Sequence, residues 1–472
     1  MNEMNENPLD ILPEVMLAAS AVIGLLLGAW LPRHRQWMVG ALALAACAAG
    51  IAAAAVAAAG PVTTAFGESF TVDPVTGASR IIILAGTLLV LALAVGPLKA
   101  NPREGEFYVL IQLAALGTLL LAGAQDLLLL AAAYLLASVP AYTLAGFRKD
   151  SAGTEAALKY YVMGALLGVV MLGGVAVLLA AGRATMYPML RTELPAASTG
   201  LVMAGTVALV AGVLFKIGGV PAHFWVPDAV QGSSAPVAAF LTTVPKIGAL
   251  AALYRLVAVP LADTSIPWPG LVAVIAAASM TLGNLAAFFQ QDVLRLLAYS
   301  TISQVGYLLM PIAVVGSTDL DQRALLFYLA GYTITNIGAF AVVCAVPHAR
   351  NIEDYRGLAR ERPVLTASLV VCLLGLVGTP PTAVFLGKVQ VFSAAFDGGY
   401  AWLTVLAAVN TVASLFYYLR WIAPTVSRRS HRSAFTGPRT ATGVACGAAA
   451  ASIALGVLAN PVLELLATPL AP

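Results

Sequence analysis

Charge is scarce in this 472-residue chain: Asp, Glu, Lys and Arg make up 10% of it, and histidine and cysteine occur four times each. Cys47, Cys344, Cys372 and Cys446 are scattered through apolar segments with no CxxC spacing, which argues against an iron–sulfur, haem or zinc site and leaves them as small core hydrophobes. No glycine-rich loop follows a strand pattern, and no Ser/His/Asp grouping falls on a plausible soluble domain. No cofactor or metal is therefore expected in this chain, and any redox chemistry it serves happens elsewhere. The start, MNEMNENPLD, lacks the basic region of a cleavable signal, so the first apolar run is expected to stay as a helix. Nothing marks a nucleic-acid surface, and the net charge of +3 is accounted for by basic loops on one side of a membrane.

What is present is apolar. Hydrophobic residues make up 60% of the chain and recur in runs of about 20, the length that crosses a bilayer. The expected fold class is an all-α polytopic membrane protein. Cutting at charged, Pro-containing and Gly-containing breaks gives about 14 spans: 12–31, 37–59, 79–98, 106–123, 126–146, 155–181, 200–228, 234–259, 268–289, 294–316, 322–347, 364–397, 400–424 and 440–467.

Orientation follows from basic residues, which cytoplasmic loops retain. With the N-terminus outside, the inner loops hold Arg33, Arg35, Lys99, Arg103, Arg148, Lys149, Arg295, Arg350, Arg356, Arg360, Arg362, Arg428, Arg429, Arg432 and Arg439; the outer side holds Arg80, Arg183, Arg191, Arg255 and Arg323. One missed helix would swap the sides of every later loop, so the bias tests the span count too. Both termini are expected on the non-cytoplasmic side of a bacterial inner membrane.

Spans 7 and 12 are broken, at Gly218-Gly219-Val220-Pro221 and Gly378-Thr379-Pro380-Pro381. The breaks are an odd number of spans apart, so two similar five-helix units must lie upside down relative to each other, spans 4–8 against 9–13. This divides the chain into residues 1–103 (three leading helices), 104–262 (first repeat), 263–426 (second, inverted repeat) and 427–472 (last helix). A break frees backbone groups that only protein or a water-filled cavity can satisfy, so these segments should line water.

Outside the loops remain Lys159, Lys216, Lys246, Lys388 and Arg420, the last placed to snorkel at the inner end of span 13. The four deeper ones are all lysine in a chain with 6 lysines and 19 arginines. Lysine can lose its proton when desolvated and arginine effectively cannot. Each would cost about 2.5–3.5 kcal/mol facing lipid, and all four together roughly a domain's stability, so they are expected to face the interior as a proton relay. Structural roles stand beside this. Lys216 could cap a half-helix, Lys246 and Lys388 could have a structural role, and Lys159 could form an i,i+4 pair with Glu155.

Accessory candidates are Glu155, His223, Ser303, Gln304 and Tyr307. His223 fits a proton path or a hydrogen bond in the broken region equally. Asp228 and Gln231 read as organisers of the turn into span 8. Ser300, Ser303, Gln304 and Tyr307 share a face of span 10, where they could hold a water chain or glue helices together. Tyr328, Tyr332, Thr335 and Asn336 of span 11 allow the same two readings.

"FKIGGVPAHFWVPDAVQGSSAPVAAFLTTVPKIGA", "EAALKYYVMGA", "RLLAYSTISQVGY" and "GTPPTAVFLGK" together resemble the antiporter-like membrane subunits of respiratory complex I. The start "ILPEVMLAASAV" and the short length are most similar to the N-type subunits of the bacterial proton-pumping NADH:quinone oxidoreductase. The resemblance spans nearly the whole chain. It implies 14 helices with two inverted repeats, a place in a membrane arm beside homologous and small membrane subunits, and proton movement driven by NADH oxidation and quinone reduction in partner subunits. By matching motif, Lys159, Lys216, Lys246 and Lys388 are its relay lysines.

Two family positions are not filled. The glutamate expected on span 5, partner of the span 6 lysine, falls at about Leu135 in "AAAYLLASVPAYTLAG", and Gln304 stands where a histidine is usual. Asp126, the nearest acid, is at the outer end of span 5. Either Glu155 or water substitutes and the subunit still pumps, or the fold is kept with poor transfer. A subunit of a multisubunit sodium/proton antiporter is a third reading, since it shares these motifs.

Overall fold

The computed structural model describes residues 8–99, 101–427 and 435–466; Arg428, Arg429 and Arg432, counted above as inner-loop charges, lie outside them. Among the described residues run the helices α1 (Leu12–Trp30), α2 (Trp37–Ala58), α3 (Pro74–Leu98), α4 (Glu104–Gly123), α5 (Leu127–Ala145), α6 (Ser151–Gly182) and α7 (Tyr187–Glu193). There follow α8 (Thr199–Ile217), α9 (Trp225–Gly232), α10 (Ala235–Ala258), α11 (Trp268–Ala287), α12 (Val293–Leu309) and α13 (Asp321–Ala345). The series closes with α14 (Leu358–Glu361), α15 (Pro363–Val377), α16 (Ala383–Asp397), α17 (Ala401–Thr425), α18 (Arg439–Val457) and α19 (Ala459–Leu465). Among the described residues, thirteen helical segments are long and apolar enough to cross a membrane, and the shorter α15 with α16 makes a further pass in two pieces. Span 7 is α8 plus α9 and span 12 is α15 plus α16, both broken where the glycines and prolines stand.

Aspartate sets several helix starts. Asp73, Asp126, Asp150 and Asp292 each accept a hydrogen bond from a backbone N–H in the first turn of α3, α5, α6 and α12. The caps at Asp73 and Asp150 begin α3 and α6 several residues ahead of the expected boundaries, which moves Arg80 from the edge of its span to the second turn of α3. Span 14 ends early instead: Pro461 has no N–H to bond the carbonyl of Val457, where α18 stops. A small hairpin, β1 (Thr63–Ala65) against β2 (Phe70–Val72), precedes α3 in a stretch read as loop.

The centre of the bundle is polar for its burial. Helix α10 is buried along its whole length, and α12 and α13 are nearly so, although they carry Thr242, Lys246, Ser300, Gln304, Tyr328 and Asn336. Helices α1, α2, α6, α17 and α18 surround them and keep exposed apolar faces, as lipid contact requires. At Gly117 a Cβ would fall 2.3 Å from the backbone nitrogen of Ala137, so α4 and α5 touch through their backbones. The connections α6–α8 and α10–α11 meet through Arg191 and Asp263 on one face of the bundle; α5–α6, α11–α12 and α13–α15 meet on the other, where Arg148, Arg350, Arg356, Arg360 and Arg362 stand.

Candidate functional site at the helix breaks

The two breaks share one local geometry. Gly218 (φ +75°) and Gly378 (φ +91°) end α8 and α15 in the left-handed conformation, and each is followed three residues later by a cis-proline, Pro221 and Pro381. The left-handed turn leaves a terminal carbonyl exposed just before the glycine, Ile217 O in one break and Val377 O in the other. An amine takes each of them. Lys246 Nζ of α10 donates to Ile217 O, and Lys388 Nζ of α16 donates to Val377 O at 2.8 Å. Gly218 also leaves room for that contact, since a Cβ there would lie 2.9 Å from Lys246 Nζ.

Lys216, one residue before Ile217, turns the other way. Its Nζ donates to Ser138 Oγ of α5 at 2.7 Å and lies 5.4 Å from the ring centroid of Tyr134. Lys388 Nζ also reaches Thr411 Oγ1 at 3.1 Å and sits 4.1 Å from the centroid of the Tyr307 ring, whose hydroxyl accepts from Thr411 at 3.2 Å. Lys216, Lys246 and Lys388 are 1%, 0% and 3% exposed, and their partners are hydroxyls, carbonyls and aromatic faces, with no carboxylate among them.

Polar side chains occupy the helices between the two breaks. One turn before Lys246, Thr242 accepts from Asn336 Nδ2 at 3.1 Å through its hydroxyl and from Tyr332 Oη at 2.7 Å through its carbonyl. Tyr332 Oη also meets Thr301 Oγ1 at 3.1 Å. Tyr328 donates to Gln304 Oε1, and Gln304 Nε2 donates to Leu376 O, the residue before Val377, at 2.8 Å. Gln304 thus bridges α13 to the second break. Tyr134 Oη, Asn336 Oδ1, Thr333 Oγ1 and Ser303 Oγ are buried without a protein partner. Groups of this kind are ordinarily satisfied by internal water.

Several expectations need correction. Lys159 does not face the interior: its side chain is 47% exposed at the start of α6, where Nζ lies 2.8 Å from both Glu155 Oε1 and Asp228 Oδ2. Asp228 and Gln231 do more than shape a turn, because Arg295 Nη1 reaches Asp228 Oδ1 at 2.7 Å and Gln231 Oε1 at 3.0 Å. Leu135 is 46% exposed, whereas the α5 side chains that meet a lysine are Ser138 and Tyr134, and the lysine they meet is Lys216. The supposed common face of span 10 divides. Ser300 pairs with Tyr418, Gln304 and Tyr307 turn to the second break, and Ser303 packs its backbone against Gly283 of α11. Thr335 bonds Ser452 of α18 at 2.8 Å and joins helices. His223 is half-buried beside Phe224, and its Nδ1 has no protein partner. Arg420 donates to the carbonyls of Phe288 and Gln290 at the end of α11.

Arginine also proves to be buried. Arg80 and Arg255, counted on the outer side at the ends of spans 3 and 8, are both 0% exposed. Arg80 is held by Glu14 at 2.7 and 2.8 Å, and Arg255 by Asp73 at 2.8 and 2.9 Å. Sequence reasoning missed both pairs; the one signal was the acid near the start of each neighbouring helix.

An all-helical membrane bundle with two interrupted helices and buried amines at the interruptions defines the antiporter-like class of membrane subunits. The family described as "NADH:quinone oxidoreductase/Mrp antiporter, TM" matches residues 124–414. The chain is 53% identical to the NADH-quinone oxidoreductase subunit N of a Mycobacterium species over 465 residues, covering 97% of this chain and 98% of that one. It is 51% identical to a subunit N of Streptomyces griseus, covering 98% of each. Among solved structures, it is similar to a chain of respiratory complex I from Thermus thermophilus (34% identity, TM-score 0.84, covering 97% of this chain and all of that one). A chain of the Mrp complex of a Dietzia species shares the fold at 21% identity, with a TM-score of 0.86 over 97% and 96% of the two chains. The chain belongs to this family of antiporter-like membrane subunits.

Proposed function

We propose that this chain is a proton-translocating membrane-arm subunit of an NADH:quinone oxidoreductase, in which Lys216, Lys246 and Lys388 hand protons along the seam between the two broken helices and Lys159 serves at its edge. The observation that carries the reading is the set of three buried amines whose partners are all neutral. A fully buried cation that is only structural is ordinarily locked by a carboxylate, as Arg80 and Arg255 are here, whereas Lys159, beside Glu155 and Asp228, keeps its side chain 47% exposed to water. An amine on hydroxyls and carbonyls stays free to gain and lose a proton. The polar side chains between the breaks, with their unpartnered atoms, supply places for connecting water.

The architecture this reading uses is a pair of inverted five-helix repeats, α4–α10 and α11–α17, supported by the matching glycine, proline and terminal-carbonyl geometry of the two breaks. Residues 1–103 and 427–472 flank them. The arginine-rich face lies toward the cytoplasm and both chain ends lie outside it, in a bacterial inner membrane. Electron transfer, NADH and quinone belong to partner subunits, and this chain contributes no cofactor. The name of its 53% identical relative favours an oxidoreductase over a sodium/proton antiporter.

The test uses the intact complex in proteoliposomes. Lys216→Met and Lys388→Met are each expected to lower the protons moved per electron while the complex still assembles. An unchanged ratio in both variants would overturn the reading in favour of a subunit that keeps the fold without pumping.

A further inference from the structure

Asp228 stands at the same remove from Gly218 as Lys388 does from Gly378, so the second halves of the two broken helices carry opposite charges at matching positions. Its carboxylate is a fork. Oδ2 accepts from Lys159 of α6 at 2.8 Å, and Oδ1 accepts from Arg295 of α12 at 2.7 Å. Glu155 is the other acid at Lys159, but its side chain is 66% exposed against 28% for Asp228, so water screens it far more. Helix α5 offers no acid between Leu127 and Ala145.

The fork is held in place from below. Tyr160, next to Lys159, stacks on Trp225 at 4.1 Å between centroids with 16° between planes, and Trp225 Nε1 donates to Phe215 O at 2.9 Å beside Lys216. This fixes α9 against α6 and against the first break. On the other side, α12 carries Arg295 at its start and Gln304 further along, and Gln304 is bonded to the second break at Leu376 O.

We propose that Asp228 is the acidic partner of Lys159, standing in for the carboxylate that α5 lacks, and that its second oxygen, on Arg295, ties the state of Lys159 to α12 and the second break. The proposal rests on the proton-transfer reading above. Charge arithmetic gives the reason. Glu155 and Asp228 balance Lys159 and Arg295, so a proton leaving Lys159 leaves the cluster with a net negative charge, an acceptor for the next proton at the arginine-rich face. The carboxylate is then held by Arg295 of α12 alone. Asp228 acts through Lys159 and Arg295 and is a positioning residue.

The experiment is a double-variant cycle in the intact complex, normalised to the amount assembled: Asp228→Asn, Lys159→Gln, both together, and Asp228→Glu. Each single variant is expected to lower the protons moved per electron at least threefold, the double variant no further than either single one, and Asp228→Glu to recover more than half of the loss. A double variant that multiplies the two losses, an Asp228→Asn complex that pumps normally, or Asp228→Glu no better than Asp228→Asn would overturn the proposal. If Asp228→Asn fails to accumulate, Arg295→Gln takes its place in the cycle with Lys159→Gln and is judged by the same non-additivity. Normal pumping in the Asp228 and Lys159 variants with loss in Lys216→Met overturns the fork alone; normal pumping in Lys216→Met and Lys388→Met overturns the proton reading beneath it.

Discussion

Two regions of the bundle bury positive charge in opposite ways. Near the start of α3, Arg80 and Arg255 are each clamped by a carboxylate, and Arg255 Nη2 adds Thr76 Oγ1 at 3.0 Å. At the breaks, Lys216, Lys246 and Lys388 have hydroxyls, carbonyls and ring faces. The first arrangement fixes charge and position together: removing either partner strands the other in a dry site. In the second, removing the amine strands only a neutral dipole, so charge there can change without tearing the structure. Among the fully buried cations, chemistry belongs with the second arrangement and architecture with the first.

This contrast can be broken by substitution. Asp73→Asn should have the largest effect on stability, about 3–5 kcal/mol, because it leaves Arg255 buried and unpaired. The amount of folded chain in membranes and its thermal midpoint would report it, and a midpoint close to that of the parent would break the comparison. Lys246→Met should cost less, about 1–3 kcal/mol, by leaving Ile217 O unbonded, while lowering proton movement strongly. Here the informative pair of measurements is thermal midpoint and protons per electron on the same sample. Gly218→Ala and Gly378→Ala should cost about 1–2 kcal/mol each through the left-handed backbone alone, and more where the new methyl meets Lys246 Nζ or Lys388 Cδ, both 2.9 Å away. Matching losses at the two sites, read as shifts in midpoint, would sharpen the equivalence of the breaks; a loss at only one would blunt it.

Acid should separate the regions more gently. Burial works against the Asp73 carboxylate, but the Arg255 guanidinium and the first-turn hydrogen bond from Thr76 outweigh it and hold the group below its ordinary range. A carboxyl depressed in the folded chain stabilises fully above its unfolded value, about 3.9, and that contribution fades as pH falls through the lower folded value. The thermal midpoint of the parent is expected to drop below about pH 4 more steeply than that of Asp73→Asn.

Much of this was legible in the sequence because it depends on local rules. The helix breaks announce themselves through Gly and Pro, and the burial of Lys216, Lys246 and Lys388 follows from the cost of a charge in an apolar run. What was not legible depends on which helices meet. Lys159 stands near the inner end of its span, with Glu155 in view four residues before it, but its second partner, Asp228, is 69 residues away and has no local signal. Arg80 and Arg255 read as charges at the outer ends of their spans because only tertiary packing brings Glu14 and Asp73 to them, 66 and 182 residues distant. Ser138 carries no signal in sequence that distinguishes it from any other small residue of α5.

One feature of the breaks sets how they respond to their surroundings. The oxygens of Ile217 and Val377 are peptide groups at the ends of half-helices, where the aligned dipoles concentrate about half an elementary negative charge. Unlike a carboxylate, such a counter-charge cannot be neutralised by acid or borrowed by a passing cation. Lys246 and Lys388 therefore rest against a permanent electrode built from the main chain, one whose polarity no side-chain substitution nearby and no swing in pH can erase.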